Sequence, residues 1–351
     1  MRGSVIVSHD ALRAFLTDLI VGSGADPTEA AVVAEVTVWS DLVGRPTQGS
    51  WRLPVLLERL RRGVIASPCR PSFEQRTEAL ALLDGGDGFG YYLGQIAMNH
   101  AVAMARQSGL ALVAVRRSNH LGALAYFGNL AAAGGMIGLV ASNSFPRVAP
   151  YGGISQVLGT NPLCFAAPTA DGRAVLVDTS TGPASGSAIR KRAEERAPLP
   201  EGVVAVDEGG RALADAGDAS RASLLPAGPK GFALGLMIEI LCGVLTGAAV
   251  SHEIASLYGD FSRPSNLGHL FVALDISRLM PREDYFARIG RLLETVKASR
   301  LQDGVDEVRF PGEARWRSME RQRRDGIRLD AATADRLSAL ARPLDIGVPW
   351  A

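Results

Sequence analysis

The chain has 351 residues, a length that fits one large or two medium domains. Hydrophobic residues make up 47% of it and charged residues 21%, so it can bury a sizeable core. Its 37 basic and 36 acidic residues leave a net charge of +1, which excludes a bulk attraction to nucleic acid or anionic lipid. We interpret the short basic runs at residues 59–62 and 321–324 as solvated helix faces.

Three cysteines, Cys69, Cys164 and Cys242, lie far apart and show no CxxC or other metal-ligand spacing. Their pattern does not indicate a disulfide framework, which favours a reducing compartment. The N-terminal residues carry no export signal, so we expect a soluble, cytoplasmic protein. The apolar stretch 231–250 contains Glu239, and because a carboxylate in mid-span is costly in lipid, we predict a buried helix there rather than a membrane span.

The first seventy residues of the chain are predicted to be helical. Capping residues and apolar spacing predict three helices, over residues 8–20, 26–39 and 53–62. Next come strands and helices in alternation: strands at 80–83, 110–115 and 137–141, with helices at 91–107 and 124–133. This order predicts an α/β domain.

The second half has a more mixed pattern. Glycine and proline punctuate residues 151–168, and the polar stretch 190–223 predicts surface loops and short strands. An apolar helix, a strand and three further helices follow, over residues 231–245, 268–274, 282–298, 315–324 and 331–340. We predict that residues 1–75 and 282–351 form one helical domain beside an α/β domain of residues 76–281.

A glycine-rich segment, residues 85–90, follows the first strand of the α/β region. Its spacing, Gly-Gly-Asp-Gly-Phe-Gly, is not the GxGxxG fingerprint, and no acidic residue closes a second strand at the expected place. We therefore predict a tight turn here and no Rossmann fold.

Four other segments, taken together, resemble one family. They are Ser118-Asn119-His120-Leu121-Gly122, the run 146–162 with Leu-Gly-Thr-Asn-Pro at its end, Gly-Pro-Lys-Gly-Phe-Ala-Leu at 228–234 with Glu239 and Leu-Thr-Gly at 245–247, and Phe-Pro-Gly-Glu at 310–313. In this order they are similar to the malate/L-lactate dehydrogenase family, over residues 8 to about 348. The resemblance implies a homodimer, a mixed-sheet nucleotide domain, and NADH or NADPH as cofactor. Relatives act on malate, sulfolactate, ureidoglycolate and cyclic imino acids.

The resemblance also implies roles for individual residues. His120 matches an acid/base histidine of some members, and a histidine of ordinary pKa can transfer a proton at neutral pH. Arg52 matches a carboxylate clamp, where a guanidinium forms a bidentate pair, and Thr160 matches a substrate contact. Lys230, at a helix start, suits a pyrophosphate. With His120, the other matches to cofactor contacts are Leu121, Gly122, Ala123, Leu124, Ser144, Asp178, Thr179, Ser180, Pro311, Gly312 and Glu313.

The residues alone leave other interpretations open. His120, at a strand end, also fits a loop cap, while Arg52 and Lys230 fit solvated side chains. The five histidines form no ligand spacing with cysteine or carboxylate, so we expect no metal.

One segment departs from the family pattern. Where the family usually has Ser-His-Gly, this chain has Thr47-Gln48-Gly49. In some relatives the serine and histidine are thought to deliver a proton, and glutamine cannot act as a general acid near neutral pH.

Three interpretations of Thr47 and Gln48 follow. The first retains a 2-oxo/2-hydroxy acid reaction with His120 as the sole proton relay. The second changes the substrate to an imine, whose protonated form needs only hydride. The third is a dinucleotide-binding scaffold or sensor with little catalysis. We expect an NAD(P)-dependent oxidoreductase that acts at C2 of a small carboxylate substrate.

Overall fold

The computed structural model describes residues 4–219 and 222–350. Its strands are β1 (Val5–Val7), β2 (Ser72–Thr77), β3 (Leu80–Asp84), β4 (Leu110–Ser118), β5 (Met136–Ser142), β6 (Leu163–Pro168), β7 (Ala174–Thr179), β8 (Ala205–Val206), β9 (Ala212–Leu213), β10 (Ser223–Leu224), β11 (Leu267–Asp275) and β12 (Ile327–Leu329). Its α-helices are α1 (His9–Gly22), α2 (Pro27–Leu42), α3 (Leu53–Arg61), α4 (Gly90–Ser108), α5 (Leu124–Ala133), α6 (Gly186–Glu194), α7 (Ala216–Ala219), α8 (Gly228–Glu239), α9 (Arg282–Lys297), α10 (Glu313–Asp325) and α11 (Ala331–Ala341).

The main sheet has seven strands in the order β2-β3-β4-β11-β5-β6-β7. Only β3 and β4 pair in parallel, and the other neighbours are antiparallel. Helix α4 packs against β4 and β11, and α5 packs against β5 and β6. A Rossmann domain has a mostly parallel sheet with another strand order. The predicted α/β fold with a mixed, non-Rossmann sheet is therefore confirmed.

Helices from both ends of the chain pack together. Strand β1 pairs with β12, α2 contacts both α1 and α10, and α3 contacts α11. The local signals act as expected at α2, where the Asp26 carboxylate accepts hydrogen bonds from the backbone N–H groups of Thr28 and Glu29. The domain boundaries remain a prediction, and strand β2 crosses the one at residues 75/76. Among the described residues, no helix is long and apolar enough to cross a bilayer.

A small cap is formed by residues 183–219 and 222–225. Its short strands β8, β9 and β10 form a three-stranded sheet, and Ile189 packs with Val148, Ala205, Ala219 and Leu224 in a core separate from the main one. The prediction of loop for residues 190–194 is wrong, because they continue α6. The Ser185 hydroxyl caps this helix at the backbone N–H of Ala188, and Ile189 is fully buried beneath it.

Arg59 corrects another expectation. It lies in the basic run interpreted as a solvated face, but its side chain is fully buried. The guanidinium donates to the backbone oxygen of Asp260 at 2.7 Å, to that of Ser256 at 3.3 Å and to the Ser265 hydroxyl at 2.9 Å. Arg59 thus ties helix α3 to the loop after residue 255, which the helical periodicity of α3 alone could not indicate.

Replacing Arg59 with methionine should destabilise the fold by about 2–4 kcal/mol, because it leaves the half-buried carbonyl oxygens of Ser256 and Asp260 and the buried Ser265 hydroxyl without their donor. The matched control is Arg62→Met on the same helix, where the exposed side chain binds Glu58 at 2.8 Å. That change should stay within about 0.5–1 kcal/mol of the wild type. Urea unfolding measures both, and equal losses in the two variants would contradict the structural role of Arg59.

Candidate active site

A pocket of about 450 Å³ lies between the helical layer, the ends of β4, β5 and β7, and the cap. Its volume is in the range of small-molecule sites. Most of the residues matched to the family's site line it together. They are Thr47, Gln48, Arg52, His120, Leu121, Gly122, Ala123, Leu124, Ser144, Thr160, Asp178, Thr179 and Ser180.

Four of the expected cofactor residues lie outside the pocket lining. Lys230 is exposed in the first turn of α8, and Gly231 beside it packs against the backbone of Thr181. Pro311 and Gly312 lie against β7: the backbone oxygen of Pro311 accepts a hydrogen bond from the N–H of Leu176 at 2.9 Å. The segment at Lys230 therefore adjoins Thr181, whereas Pro311 and Gly312 adjoin Leu176 within β7. The contact of both segments with cofactor remains a prediction.

Glu313, the fourth of these residues, is buried, and one of its carboxylate oxygens, Oε1, is paired with two cations. Its carboxylate accepts hydrogen bonds from Lys297 at 2.7 Å and from Arg317 at 2.7 Å. Desolvation alone would raise the pKa of Glu313. The hydrogen bonds from Lys297 and Arg317, of which that from Lys297 has the larger effect, instead lower it below its ordinary value. In this structure Glu313 secures the start of α10.

Gln48 is the centre of a hydrogen-bond network in the pocket. Its Oε1 lies 3.2 Å from Nε2 of His120 and 3.5 Å from Nη2 of Arg52, and its amide nitrogen donates to the Ser187 hydroxyl at 3.4 Å. Because arginine only donates, the amide oxygen must face Arg52. The same oxygen then accepts from His120, which assigns the imidazole proton to Nε2.

The pKa of His120 lies well below its ordinary value. Burial is the main cause, and the positive charge of Arg52 adds to it. The imidazole is therefore neutral near pH 7, which departs from the ordinary pKa assumed from the sequence. A neutral His120 whose Nε2 proton already binds Gln48 is a weak source of protons.

Asp41, which sequence reasoning missed, holds the turn that carries Thr47 and Gln48. Its buried carboxylate accepts hydrogen bonds from the Ser50 backbone N–H at 3.0 Å and from the Ser50 hydroxyl at 2.5 Å. A Cβ on Gly49 would lie 2.1 Å from the same carboxylate, so only glycine fits there. An aspartate on a mostly apolar helix face was the available signal.

Several cations in the pocket were also missed. Arg45, Arg147, Arg190 and Arg315 line it together with the aromatic residue Tyr258. Arg315 forms an ion pair with Asp178, with 3.1 Å between Nη1 and Oδ2. The guanidinium carbon of Arg190 lies 4.0 Å from the centre of the Tyr258 ring, and that of Arg52 lies 5.5 Å from it.

Comparison with known proteins decides the family. The family model for malate/L-lactate dehydrogenase matches residues 7–338. The chain belongs to this family. It is 33% identical over 337 residues to the L-sulfolactate dehydrogenase of Methanothermobacter thermautotrophicus, with 95% of each chain covered.

Solved structures agree. The malate dehydrogenase of Entamoeba histolytica superposes with a TM-score of 0.94 at 26% identity and covers 99% of both chains. The Δ1-piperideine-2-carboxylate reductase of Pseudomonas syringae pv. tomato superposes with a TM-score of 0.85 at 28% identity, covering 96% of this chain and 99% of that one. Membership of the dehydrogenase family confirms the expected oxidoreductase of small acids and implies a nicotinamide cofactor.

The titration of Asp41 generates a prediction about stability. Burial raises the pKa of Asp41 from 3.8 to about 7, although the hydrogen bonds from Ser50 oppose this. Because the pKa of Asp41 is raised in the folded state, the protonated carboxyl group stabilises the fold. This contribution to the free energy of unfolding is complete below about pH 3.8 and is lost as the pH rises through about 7. In the Asp41→Asn variant this loss should be absent, so its stability relative to the wild type should increase over that window by a few kcal/mol, on the order set by the shift.

Urea unfolding between pH 4 and 8 measures this difference. Asp18→Asn, at an exposed position of α1, is the matched control and should leave the pH profile unchanged. Parallel profiles for the wild type and Asp41→Asn would show that Asp41 does not titrate in this range.

Proposed function

We propose that this protein transfers hydride between NADH or NADPH and C2 of a small carboxylate substrate, and that it prefers an imino acid to the free oxo acid. The observation that carries the proposal is the network in which Gln48 lies between Arg52 and His120. In this network an amide, at the position where the family usually has an acid, joins the Arg52 guanidinium to a neutral imidazole, which supports the binding of a substrate carboxylate by Arg52.

The pocket fits a nicotinamide dinucleotide. Gly122 has a φ of 78°, which lets residues 120–124 turn along the pocket wall, and a Cβ there would lie 2.9 Å from the Tyr91 ring. Thr179 and Ser180, at the end of β7, bring hydroxyl groups that suit a ribose or an amide. The bound cofactor supplies or accepts the hydride. The ion pair of Asp178 and Arg315 lies at the same end of the pocket. It offers both an acid and a cation, so it does not distinguish NADH from NADPH.

Arg52 is suited to hold the substrate carboxylate. Its guanidinium donates to neutral acceptors only, the backbone oxygen of Thr47 at 3.0 Å and the amide of Gln48. Among residues 4–219 and 222–350, no carboxylate lies within ion-pair distance of it. A carboxylate ligand would neutralise this buried cation through charge-assisted hydrogen bonds.

The supply of protons favours an imine. Reduction of an oxo acid requires a proton on the substrate oxygen, but Gln48 cannot donate one as an acid and His120 is neutral near pH 7. A protonated imine already carries its proton and needs only hydride. The similarity to a structure named as a piperideine-2-carboxylate reductase supports the same choice.

A second candidate is the 2-oxo/2-hydroxy acid reaction. The guanidinium groups of the pocket would stabilise the alkoxide that hydride transfer to an oxo acid forms, and the relative named L-sulfolactate dehydrogenase supports this reaction. The third interpretation, a binding protein without catalysis, requires that the cofactor bind without any turnover.

The loss of nicotinamide absorbance tests the proposal with NADH and with NADPH. We expect turnover with pyruvate plus methylamine and with piperideine-2-carboxylate to exceed turnover with pyruvate alone by at least about 100-fold, the lower end of the effect of a general acid. Arg52→Gln should abolish turnover of all three substrates because the carboxylate clamp is lost. Arg13→Gln, an exposed change on α1, is the control for handling and folding.

Faster turnover of pyruvate alone would overturn the imine preference and establish the oxo-acid reaction. Cofactor binding with no reduction of any substrate would favour the binding protein instead.

We propose that the protein is a homodimer and that α8 forms part of the interface. The prediction of a buried helix over residues 231–250 is wrong for the single chain. The outer face of α8, continued by the π-helical turn Ile240–Val244, exposes large apolar side chains, with Val244 64% and Leu245 63% exposed. Leu234, Met237 and Ile240 extend the same surface. Contiguous exposed apolar surface of this kind marks interaction sites.

Light scattering after size exclusion tests the dimer. The wild type should have twice the chain mass of 37.0 kDa, and Leu245→Glu should shift it towards the monomer because a charge would be buried at the interface. Ile6→Glu, an exposed apolar position of β1, is the control and should remain dimeric. A monomeric wild type would refute the proposal.

We also propose a cytoplasmic location. Cys69, Cys164 and Cys242 are all free thiols, which suits a reducing compartment.

A further inference from the structure

One wall of the pocket carries more positive charge than a single substrate carboxylate needs. Arg52, Arg147 and Arg190 all line the pocket near Tyr258, with Arg190 stacked on the aromatic ring at 4.0 Å. The cations are close enough to influence one another: burial, and next the charge of Arg190, lower the pKa of Arg147 to about 10. Such clustering of like charges is unfavourable unless an anion joins it.

The protein does not supply that anion to Arg190. In the described part of the chain, no carboxylate lies within ion-pair distance of its guanidinium. The acid one turn further along α6, Glu194, instead accepts hydrogen bonds from the Trp51 indole at 3.0 Å and from Arg336 at 3.2 Å. Asp178 is held by Arg315.

Further donors surround the same space. The hydroxyl of Tyr258 is buried and has no hydrogen-bond partner among the described residues. The first turn of α6 lines the pocket as well, and its Ser187 hydroxyl accepts a hydrogen bond from Gln48 and so connects this wall to Arg52. Arg52 and Arg190 thus both approach the Tyr258 ring, and both can face a ligand that lies in the pocket beside it.

We propose that Arg190, with the hydroxyl of Tyr258, binds a second acidic group of the substrate, distal to C2. The substrate is then a 2-imino or 2-oxo diacid. This inference rests on the proposed function, because Arg52 must hold the carboxylate next to C2. A protonated imino acid with one carboxylate has no net charge, whereas a second carboxylate gives it the negative charge that the arginines attract.

The phosphates of the cofactor are the competing ligand for Arg190. Asp178, Thr179 and Ser180, which are among the proposed cofactor contacts, lie at the end of β7, where Arg315 pairs with Asp178. Arg190 instead contacts Tyr258, which Arg52 also approaches. A substrate role predicts a change in the KM of the acid and an unchanged KM of the nicotinamide cofactor.

Two substrates of equal chain length test the proposal: the N-methylimines of 2-oxoglutarate and of 2-oxopentanoate, which differ in a distal carboxylate and a methyl group. We expect the wild type to prefer the diacid in kcat/KM by about 10- to 100-fold, the range of a charge-assisted hydrogen bond. Arg190→Gln should remove this preference and leave the monoacid within about threefold. Arg192→Gln, on the same helix but outside the pocket lining, is the matched control and should retain the preference.

Calorimetry with glutarate and pentanoate, in the presence of cofactor, makes the same comparison without turnover. The assay can show no turnover while calorimetry shows that the wild type binds glutarate more tightly than pentanoate and that Arg190→Gln abolishes this difference. That result would overturn the proposed reaction and support the acid site. Three results would overturn the inference. They are equal affinity of the wild type for both acids, an equal loss of kcat/KM for both substrates in Arg190→Gln, and a KM raised for the cofactor alone.

Discussion

Strand β11 is the element on which the site depends. It enters the sheet last in sequence but lies at its centre, where it pairs antiparallel with β4 on one side and β5 on the other. His269 of β11 lies 2.9 Å from the hydroxyl of Ser118 and 2.9 Å from that of Ser142, at the ends of these two neighbours. The chain leaves both ends directly into the pocket walls. The distance between the walls is therefore set by one buried strand and one buried imidazole, whose pKa burial lowers to about 4.

The chemistry of the pocket combines a positive field with few mobile protons. Gln48 lies at the centre of the site, where its amide group orients Arg52 and His120. The amide itself is neutral and does not titrate. Asp41 fixes the backbone around it from behind. The proposed preference for an imino acid follows from this combination, because such a substrate brings its own proton.

The sequence correctly predicted the helices whose formation depends on capping residues and on the spacing of apolar residues. The α5 prediction, residues 124–133, coincides with the observed helix, and the Asp26 cap begins α2 as expected. The prediction failed at α6, where Ser185 gives a weak start signal and the only fully buried apolar residue of the helix is Ile189. Strands β6 and β7 were also unassigned, since their short runs have no clear alternation and gain their identity from pairing with each other.

The candidate site could be predicted only in part, because several of its contacts join residues that are distant in the sequence. The family resemblance assigned roles to Arg52, His120 and Ser180, and the structure brings these three to one pocket. No local pattern shows that Arg59 points inward or that Arg190 stacks on Tyr258, sixty-eight positions later in the sequence numbering. Those contacts arise from the tertiary fold alone.

The cap has a consequence for how such a protein can diverge. Its small core, around Ile189, is separate from the large core beneath the sheet, and it carries Ser187 and Arg190 into the pocket. Mutations in that small core can reshape one side of the ligand space without straining the seven-stranded sheet. Selection for a different acidic substrate can therefore act on a short segment of the chain while the main sheet stays unchanged.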